Sequence, residues 1–286
     1  MGKIVIVGSG PAGCSAALYA ARAGQEVVVI SMGMGALSKA ELIQNYYGFE
    51  EGITGAELYR QGVAGAKAVG AEFITAEVVG LDYTGSLVVQ TTEGDYPADA
   101  VILATGAGRI APKIAGLAEH EGRGVSYCAT CDAFFYRGKT AAVLGSGEYA
   151  LHEVQALLPL AGRVILCTNG EPLTADFPEG VEICTEKLAA VEGEEKVSAL
   201  RLENGELLPV EGLFVALGVA GSAALARKLG APVENGRIVV DERMQTGIPG
   251  LYAAGDCTGG LLQVCKAVYE GALAATEAIK QIRGKK

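Results

Sequence analysis

The sequence KIVIVGSGPAG at residues 3–13 decides the fold of this chain. Its first five residues are mostly β-branched and apolar, as in a buried strand, and they lead directly into a GxGxxG loop. An alanine-rich helical stretch follows at 15–23, and a second apolar strand follows at 26–30. In such a βαβ unit the glycines let the backbone approach a pyrophosphate, whose oxygens meet free N–H groups at the helix N-terminus. The stretch therefore predicts a dinucleotide-binding unit.

The pattern recurs 137 residues later, which indicates an internal duplication. Residues 140–150 read TAAVLGSGEYA, and a second helical stretch at 151–160 and an apolar strand at 163–167 follow them. The downstream parts repeat as well, because DAVILATG at 99–106 corresponds to EGLFVALG at 211–218. The chain therefore consists of two similar α/β units.

Each unit is expected to carry a small β insertion, since short strands separated by turn residues occur at 78–96 and at 197–209. We therefore predict an α/β fold of two Rossmann-like domains, each with a three-stranded β insertion. This is the three-layer ββα arrangement of the glutathione-reductase type.

The end of the chain is expected to return to the first domain. LYAAGD at 251–256 has the pattern of a short strand, and a helix is predicted from about Leu262 to Arg283. A strand that ends in Asp at the carboxyl edge of a sheet is placed to hold a ligand hydroxyl. The predicted domains are 1–110 with 241–286, and 111–240 inserted between them.

The 286-residue chain is acidic and rich in glycine. Its formal net charge of −10 and its scattered basic residues argue against general nucleic-acid binding, which relies on Lys and Arg. Its 41 glycines lack the period of collagen, so we expect them at turns and close approaches to ligands. The apolar stretches are strand-sized and the N-terminus enters a strand directly. We therefore expect a cytoplasmic protein without a membrane segment.

Cys128-Ala129-Thr130-Cys131-Asp132 is the sharpest chemical feature of the sequence. The CxxC spacing permits an easily reduced disulfide at a helix start, with one thiol exposed. Asp132 is placed to exchange protons with a leaving thiolate, and capping of the helix is its structural alternative. Half of a zinc site is the alternative for the cysteines, but the sequence offers neither a second CxxC nor an HxxxH. Redox chemistry is therefore favoured.

Residues 122–138, GRGVSYCATCDAFFYRG, resemble the redox-active segment of the low-molecular-weight bacterial thioredoxin reductases. Four other segments follow the order of that family: GSGPAG at 8–13, NYYGFEEGITGAEL at 45–58, ILATGA at 102–107 and YAAGDCTGGLLQ at 252–263. The resemblance covers essentially the whole chain, and these motifs together are highly specific.

The resemblance implies an FAD on the first domain. Its pyrophosphate would lie at the glycine loop, other residues would contact or line the cofactor, and the end of the chain would hold its ribityl chain. In that order these residues are Gly8, Ser9, Gly10, Pro11, Ala12 and Gly13; Asn45, Ala104, Thr105 and Gly106; and Gly255 and Asp256. Gln263 would lie near the pyrimidine edge of the flavin, where the N-terminus of the last helix stabilises a reduced anionic ring.

The resemblance also assigns the steps of the reaction. Cys131 would exchange with the flavin, Cys128 would exchange with thioredoxin, and Asp132 would be the acid/base. Electrons would pass from a donor to FAD, to the Cys128–Cys131 disulfide, and to the disulfide of thioredoxin. The family is dimeric, with one domain that swivels to present the dithiol alternately to the flavin and to the partner.

The sequence departs from the family where NADPH would bind. Members that use NADPH carry a basic cluster after the second strand of the second βαβ unit, and this cluster binds the 2′-phosphate. Here Cys167-Thr168-Asn169-Gly170-Glu171 stands at that place, so a phosphate dianion would meet a neutral loop and a carboxylate. Tyr149 also stands where a small residue is usual. NADPH is therefore disfavoured, and NADH stays open with Glu171 on a ribose hydroxyl.

The missing nucleotide signature bears on the electron donor. A clostridial subgroup of flavin thioredoxin reductases lacks the nucleotide signature and takes electrons from ferredoxin, and the present pattern resembles it. We therefore favour ferredoxin over NAD(P)H, with a local basic patch required because ferredoxins are also acidic. Two other functions remain open, namely an FAD-dependent dithiol oxidase that uses oxygen and a non-enzymatic redox-sensing flavoprotein.

The remaining cysteines and histidines receive structural roles. Cys14, Cys167 and Cys184 are expected to be buried small hydrophobic residues. Cys257 and Cys265 flank the start of the last helix, where a second dithiol is the less favoured alternative. The two histidines, His120 and His152, are expected at the surface.

Overall fold

The computed structural model describes residues 2–83, 85–106, 114–218 and 220–284. It divides the chain into two compact units: unit 1 comprises Met1–Arg109 and Gly221–Lys286, and unit 2 comprises Ile110–Ala220. Residues 221–240, which we had placed in the second domain, therefore belong to unit 1. The reason is a long-range contact, because the backbone N–H of Ser222 donates to Oγ1 of Thr105 at 2.9 Å.

Eighteen strands and six α-helices occur in the described residues. The strands are β1 (Lys3–Val7), β2 (Glu26–Ser31), β3 (Glu72–Thr75), β4 (Val78–Tyr83), β5 (Leu87–Thr91), β6 (Gly94–Ala98), β7 (Ala100–Leu103), β8 (Val125–Ser126), β9 (Thr140–Leu144), β10 (Arg163–Cys167), β11 (Glu182–Cys184), β12 (Leu188–Glu192), β13 (Ala199–Leu202), β14 (Leu207–Pro209), β15 (Gly212–Val215), β16 (Val233–Glu234), β17 (Arg237–Ile238) and β18 (Leu251–Ala253). The helices are α1 (Pro11–Arg22), α2 (Gly55–Ala68), α3 (Ala129–Asp132), α4 (Glu148–Leu157), α5 (Ser222–Lys228) and α6 (Val264–Gly284). Short 3-10 helices cover Gly35–Lys39, Ala133–Tyr136 and Asp256–Thr258.

Unit 1 is built on a five-stranded parallel sheet with the order β18-β7-β1-β2-β3. The antiparallel sheet β4-β5-β6 and the hairpin β16-β17 complete its strands. The strands of the parallel sheet are almost continuous apolar runs because both faces of the sheet are covered. Helices α1 and α6 pack closely through small residues, and their alanines join Ile4 and Ile6 in one apolar core.

Unit 2 repeats this architecture with the parallel order β11-β10-β9-β15-β8 and the antiparallel sheet β12-β13-β14. Its core gathers the inward-facing residues of both sheets, among them Leu144, Ile165, Leu200 and Leu213. The predicted α/β class, the duplication and the two three-stranded insertions are confirmed. The sequence also predicts that a late strand, β18, returns to the sheet of unit 1, but it does not predict that the fifth strand of unit 2 is β8, which precedes the other four.

Among the described residues no helix is long and apolar enough to span a bilayer.

The packing of α1 on α6 gives a first prediction. A Cβ atom on Gly271 of α6 would lie 2.0 Å from the backbone oxygen of Ala12, a distance that real atoms do not tolerate. We expect Gly271→Ala to destabilise the protein by about 1–3 kcal/mol through forced separation of the helices. The melting temperature should fall by several degrees, which thermal unfolding monitored by circular dichroism measures.

Gly65→Ala is the matched control for this substitution. Gly65 also lies inside a helix, α2, but the nearest described atom to its Cβ position is 4.0 Å away. Alanine should therefore leave the stability unchanged or raise it by up to about 1 kcal/mol through helix propensity. Equal melting temperatures for the two variants would contradict the close helix contact.

Candidate functional site

The predicted cofactor residues of unit 1 meet at the carboxyl edge of the parallel sheet. Gly8 follows β1, Ala104 follows β7 and Gly255 lies just beyond β18. A Cβ atom on Gly8 would lie 2.3 Å from the oxygen of Ala104, and one on Gly255 would lie 3.0 Å from Cβ of Ala12. Three segments that are far apart in sequence therefore touch at one site, where ligands bind in open α/β sheets.

The glycine loop between β1 and α1 forms an open cradle. Gly8 has φ +107°, and a Cβ atom on Gly13 would lie 1.9 Å from the oxygen of Gly8, so both positions require glycine. Around the Cβ position of Gly10, by contrast, no atom of the described residues lies within 4 Å. The first turn of α1, Pro11–Cys14, consists of uncharged residues. A helix N-terminus with this opening is suited to an anionic group.

Ser9 connects the cradle to its surroundings. Its side chain is 2% exposed, and its Oγ lies 2.7 Å from Oγ of Ser31 and 3.1 Å from the hydroxyl of Tyr59. The hydroxyl of Ser9 donates to the backbone oxygen of Gly33 at 3.3 Å. Ser9 therefore fixes the loop to the ends of β2 and α2, which is a positioning role.

Asn45 and Gln263 are brought together although 218 residues separate them. Nδ2 of Asn45 donates to Oε1 of Gln263 at 2.8 Å. The backbone oxygen of Gln263 accepts from the backbone N–H of Ala267 at 3.1 Å. Gln263 therefore opens α6, as the sequence predicts. A small apolar cluster around Leu37, against which Val264 packs, lies beside this pair.

Thr105 and the residues after β18 are held by side chains that sequence reasoning did not find. Oγ1 of Thr105 lies 2.6 Å from Oγ of Ser222. Nζ of Lys266 donates to the oxygen of Gly255 at 2.8 Å, and the Glu270 carboxylate accepts from the N–H of Gly255, also at 2.8 Å. Lys266 and Glu270, joined by a salt bridge at 2.9 Å, thereby hold the N–H and the C=O of Gly255.

The environment of Asp256 was also missed. The backbone oxygen of Asp256 accepts a hydrogen bond from the guanidinium of Arg237. Arg237 belongs to the segment 221–240 that the sequence placed in the other domain, so no local pattern signalled this contact.

The CxxC motif of unit 2 forms a disulfide. Cys128 and Cys131 are bonded, with their Cα atoms 5.4 Å apart, and Sγ of Cys128 accepts from the N–H of Cys131 at 3.1 Å. Cys128 therefore caps the start of α3, as expected for CxxC at a helix N-terminus. Cys128 is only 4% exposed, whereas Cys131 is exposed. Among the described residues no cluster of three or more His, Cys, Asp or Glu could hold a metal ion.

Two side chains near the disulfide position it. Oγ of Ser126 donates to Oδ2 of Asp132 at 2.7 Å and accepts from the N–H of Cys128 at 3.1 Å. The fully buried carboxylate of Glu153 accepts a hydrogen bond from the N–H of Ala129. Glu153 had a sequence signal that we did not use, because it is a charged residue on the buried face of α4.

The surface beside the disulfide is aromatic and basic. Phe134 and Phe135 are 66% and 67% exposed, directly after α3. The guanidinium of Arg137 lies 5.4 Å from the ring centre of Phe134, and Nζ of Lys139 lies 6.0 Å from that of Tyr136. Exposed large aromatic side chains of this kind mark protein interaction sites.

The second glycine loop, in unit 2, is closed where the first is open. Its scaffold is the same, since a Cβ atom on Gly145 would lie 2.2 Å from the oxygen of Ala216. Gly147 corresponds to Gly10, but a Cβ there would lie 3.0 Å from Oγ1 of Thr174. The N–H of Thr174 donates to the oxygen of Ser146 at 2.8 Å. The side chain of Thr174 therefore lies in the space that corresponds to the opening at Gly10, and Glu148 adds a carboxylate to the first turn of α4.

The loop after β10 uses its polar groups internally. The N–H of Thr168 donates to the oxygen of Cys184 at 2.9 Å, and Oδ1 of Asn169 accepts from the N–H of Leu188 at 2.8 Å. Lys187 brings one positive charge beside this loop, because its Cε would lie 3.2 Å from a Cβ on Gly170. The arginine fork that binds a 2′-phosphate is not encoded in the segment 167–171.

His120 corrects an expectation. It is 8% exposed rather than at the surface, and its ring nitrogens lie 2.7 Å from the oxygen of Gly116 and 3.1 Å from that of Gly193. It connects two loops of unit 2 and was missed because both contacts are to backbone. His152 is partly buried, with Nδ1 3.2 Å from Oε1 of Glu153.

Several free cysteines behave as buried apolar residues. Burial raises the pKa of Cys14 to about 12 and that of Cys257 to about 11. The thiol of Cys257 donates to backbone oxygens of Leu103 and Ala254, whereas Cys265 is exposed on α6.

Comparison with known proteins identifies the family. Residues 2–271 match the family described as pyridine nucleotide-disulphide oxidoreductase. A thioredoxin reductase of Aquifex aeolicus is 35% identical over 99% of this chain and 94% of its own length. This chain belongs to the low-molecular-weight thioredoxin reductase family.

Two solved structures of thioredoxin reductases are similar to this chain. The atypical thioredoxin reductase TRi from Desulfovibrio vulgaris Hildenborough is 40% identical, with a TM-score of 0.93 and 99% of both chains covered. A ferredoxin-flavin thioredoxin reductase from Clostridium acetobutylicum is 35% identical, with a TM-score of 0.75 and 99% and 98% of the two chains covered.

FAD is the cofactor of this thioredoxin reductase family, and the cradle of unit 1 fits it. The space at Gly10 and the uncharged first turn of α1 suit a pyrophosphate, and Asn45 with Gln263 supplies polar groups at the start of α6. In unit 2 the corresponding position, Gly147, has Oγ1 of Thr174 beside it.

The open space at Gly10 gives a second prediction. Gly10→Val should fold normally, because Gly10 has φ −70° and no described atom lies within 4 Å of the new Cβ. The side chain would occupy the pyrophosphate position, so the purified variant should contain far less flavin. The ratio of absorbance at 450 nm to absorbance at 280 nm measures this loss.

Gly65→Ala serves as the control here too, since it lies outside the cradle and should retain full flavin content. Full flavin content in Gly10→Val would contradict the placement of the pyrophosphate.

Proposed function

We propose that this protein is a flavin-dependent disulfide reductase that reduces thioredoxin, with ferredoxin rather than NADPH as the electron donor. The observation that carries the reductase function is the Cys128–Cys131 disulfide at the start of α3, with one sulfur exposed beside Phe134 and Phe135. The family resemblance supports a cytoplasmic homodimer as the working form.

The residues of unit 2 carry the disulfide exchange. FAD, held by unit 1, would supply the capacity to collect electrons from the donor and pass a pair to the disulfide. Reduction breaks the Cys128–Cys131 bond and gives two thiols after uptake of two protons. One thiolate then attacks the thioredoxin disulfide, and the second thiol resolves the mixed disulfide and releases reduced thioredoxin.

Asp132 is proposed as the acid/base of this exchange. Its carboxylate is held by the hydroxyl of Ser126 at 2.7 Å, in the turn that contains both cysteines. The hydroxyl of Ser126 also accepts from the N–H of Cys128. One side chain therefore binds both the Asp132 carboxylate and the backbone of Cys128. From this position we propose that Asp132 exchanges a proton with the leaving thiolate.

The roles of the two sulfurs stay a prediction. The family assigns Cys128 to thioredoxin and Cys131 to the flavin, but Cys128 is buried and Cys131 is exposed. Attack by Cys128 on a protein disulfide therefore requires a movement that uncovers its sulfur. A swivel of one domain, as the family uses, is the proposed movement.

Trapping separates the two sulfurs. We expect Cys128→Ser to abolish thioredoxin reduction while FAD stays bound, because the attacking sulfur is lost and unit 1 is unchanged. Reduced Cys131→Ser should displace thionitrobenzoate from a thioredoxin that keeps only its exposed cysteine, and should form a stable mixed disulfide. The yellow thionitrobenzoate anion and a non-reducing gel report the reaction.

The reverse pattern in the trapping experiment, with the adduct formed only by Cys128→Ser, would assign the attack to Cys131. Unchanged turnover of Cys128→Ser with thioredoxin would overturn the reductase function of this disulfide.

The donor proposal rests on the closed loop of unit 2. Thr174 contacts the position where a pyrophosphate would approach Gly147, and Glu148 would repel a phosphate at the start of α4. A segment without arginine follows β10. The similar structure from Clostridium acetobutylicum is described as a ferredoxin-flavin thioredoxin reductase, which favours the same donor here.

Anaerobic bleaching of the flavin tests the donor. The holoenzyme is mixed in parallel with NADPH, NADH and photoreduced ferredoxin, and the absorbance at 450 nm is followed. We expect ferredoxin to bleach the flavin and micromolar NADPH or NADH to leave it oxidised. Bleaching by either nicotinamide at micromolar concentration would overturn the donor proposal without affecting the thioredoxin assignment.

A further inference from the structure

Cys167 and Cys184 form a pair that the family function does not use. They are direct partners in the parallel register of β10 and β11, at the carboxyl ends of both strands. Neighbouring strands lie roughly 4.8 Å apart, and a disulfide joins Cα atoms that are roughly 4.4–6.8 Å apart. The backbone spacing at this pair is therefore compatible with a bond between the two sulfurs.

The register also makes the two side chains neighbours. Residues that are paired directly across two adjacent strands project from the same face of the sheet, so both thiols lie on one face. Cys167 is fully buried, whereas Cys184 is partly exposed. A small molecule can therefore reach Cys184, whereas Cys167 is shielded from solvent.

The pairing makes the two sulfurs chemically unequal. The hydrogen bond from Cys167, supported by one from the backbone of Glu186, lowers the pKa of Cys184 to about 6. Partial burial and the carboxylates of Glu186 and Glu206 oppose this shift. The pKa of Cys167 is raised by the same hydrogen bond and by burial. The pair therefore favours the thiolate at the accessible sulfur and the thiol at the buried sulfur.

Redox-sensing cysteines share this arrangement: an accessible thiolate adjacent to a resolving thiol. The other buried cysteines provide a contrast within the same chain. Burial raises the pKa of Cys14 to about 12, and its thiol donates to the backbone oxygen of Ser9 at 3.1 Å. Cys14 therefore has neither the charge nor the partner that oxidation to a disulfide requires.

We propose that Cys167 and Cys184 form a second redox-active dithiol, distinct from Cys128 and Cys131, that hydroperoxides oxidise to a disulfide. The assignment needs neither thioredoxin nor the electron donor, so it stands apart from the reductase function. It lies beside the loop where nucleotide-using relatives bind a 2′-phosphate.

The reaction balances in two steps. The Cys184 thiolate attacks the terminal peroxide oxygen; the S–O bond forms, the O–O bond breaks, and the alkoxide or hydroxide takes a proton to leave as alcohol or water. Cys167 then attacks the sulfenic sulfur; the S–S bond forms, the S–O bond breaks, and water leaves with the thiol proton. The two cysteines lose two electrons, and the peroxide gains them. A dithiol reverses the oxidation by thiol–disulfide exchange.

The test uses the full-length holoenzyme with both Cys128→Ser and Cys131→Ser, which removes the known disulfide. After treatment with one equivalent of hydrogen peroxide, we expect the intact mass to fall by 2 Da and peptide mapping to find Cys167 joined to Cys184. Cys265→Ser in this background is the matched control, because Cys265 is an exposed cysteine elsewhere, and it should give the same cross-link.

Substitutions at Cys167 separate its two roles. Cys167→Ser keeps a hydroxyl donor but removes the resolving sulfur, so Cys184 should accumulate as a sulfenic acid that dimedone labels. Cys167→Ala removes the donor as well, and dimedone labelling of Cys184 at pH 7 should be several-fold slower than in Cys167→Ser. Cys184→Ser should leave Cys167 unlabelled.

Three outcomes would overturn the proposal. They are a cross-link between other cysteines, overoxidation of Cys184 without a cross-link in the background that retains Cys167, and equal labelling rates for Cys167→Ser and Cys167→Ala.

Discussion

Both units depend on places where backbone meets backbone without room for a side chain. In unit 1 the Cβ position of Gly8 lies 2.3 Å from the oxygen of Ala104, and in unit 2 that of Gly145 lies 2.2 Å from the oxygen of Ala216. These contacts bring the first loop of each unit against the strand beside it. The same absence of side chains opens the cradle at Gly10, so the packing of the sheet and the space for a cofactor have one cause.

Much of this architecture could be predicted because its signals are local. β-branched runs, GxGxxG and its repeat define the two sheets within short windows of sequence. The fifth strand of unit 2 could not be derived in the same way. β8 has only two residues, Val125 and Ser126, and such a length carries no periodicity. The attachment of residues 221–240 to unit 1 depends on Ser222 and Thr105, which are 117 positions apart.

The two dinucleotide-type loops show how far a duplicated scaffold can diverge without losing its fold. Missing arginines after β10 were visible in the sequence, but the cover over Gly147 was not, because Thr174 reaches it through tertiary packing. The Cys167–Cys184 pair was hidden for the same reason. Its function depends on which residues face each other across elements, and residue type alone does not reveal this. Family resemblance implied a place at the cofactor for Asn45 and for Gln263, but their mutual hydrogen bond was not predicted.

β8 precedes the other strands of its parallel sheet in the chain, whereas β18 follows those of its own sheet. This difference has a consequence for biosynthesis. Unit 2 is one continuous segment with β8 at its start, so all its strands have left the ribosome when β15 emerges. Unit 1 must wait for β18 and α6 at the end of the chain to complete its sheet and to cover α1. Domains generally fold as units during synthesis. The inserted unit with the redox disulfide is therefore the first that can reach its native topology, and the flavin cradle is the last part of the protein to mature.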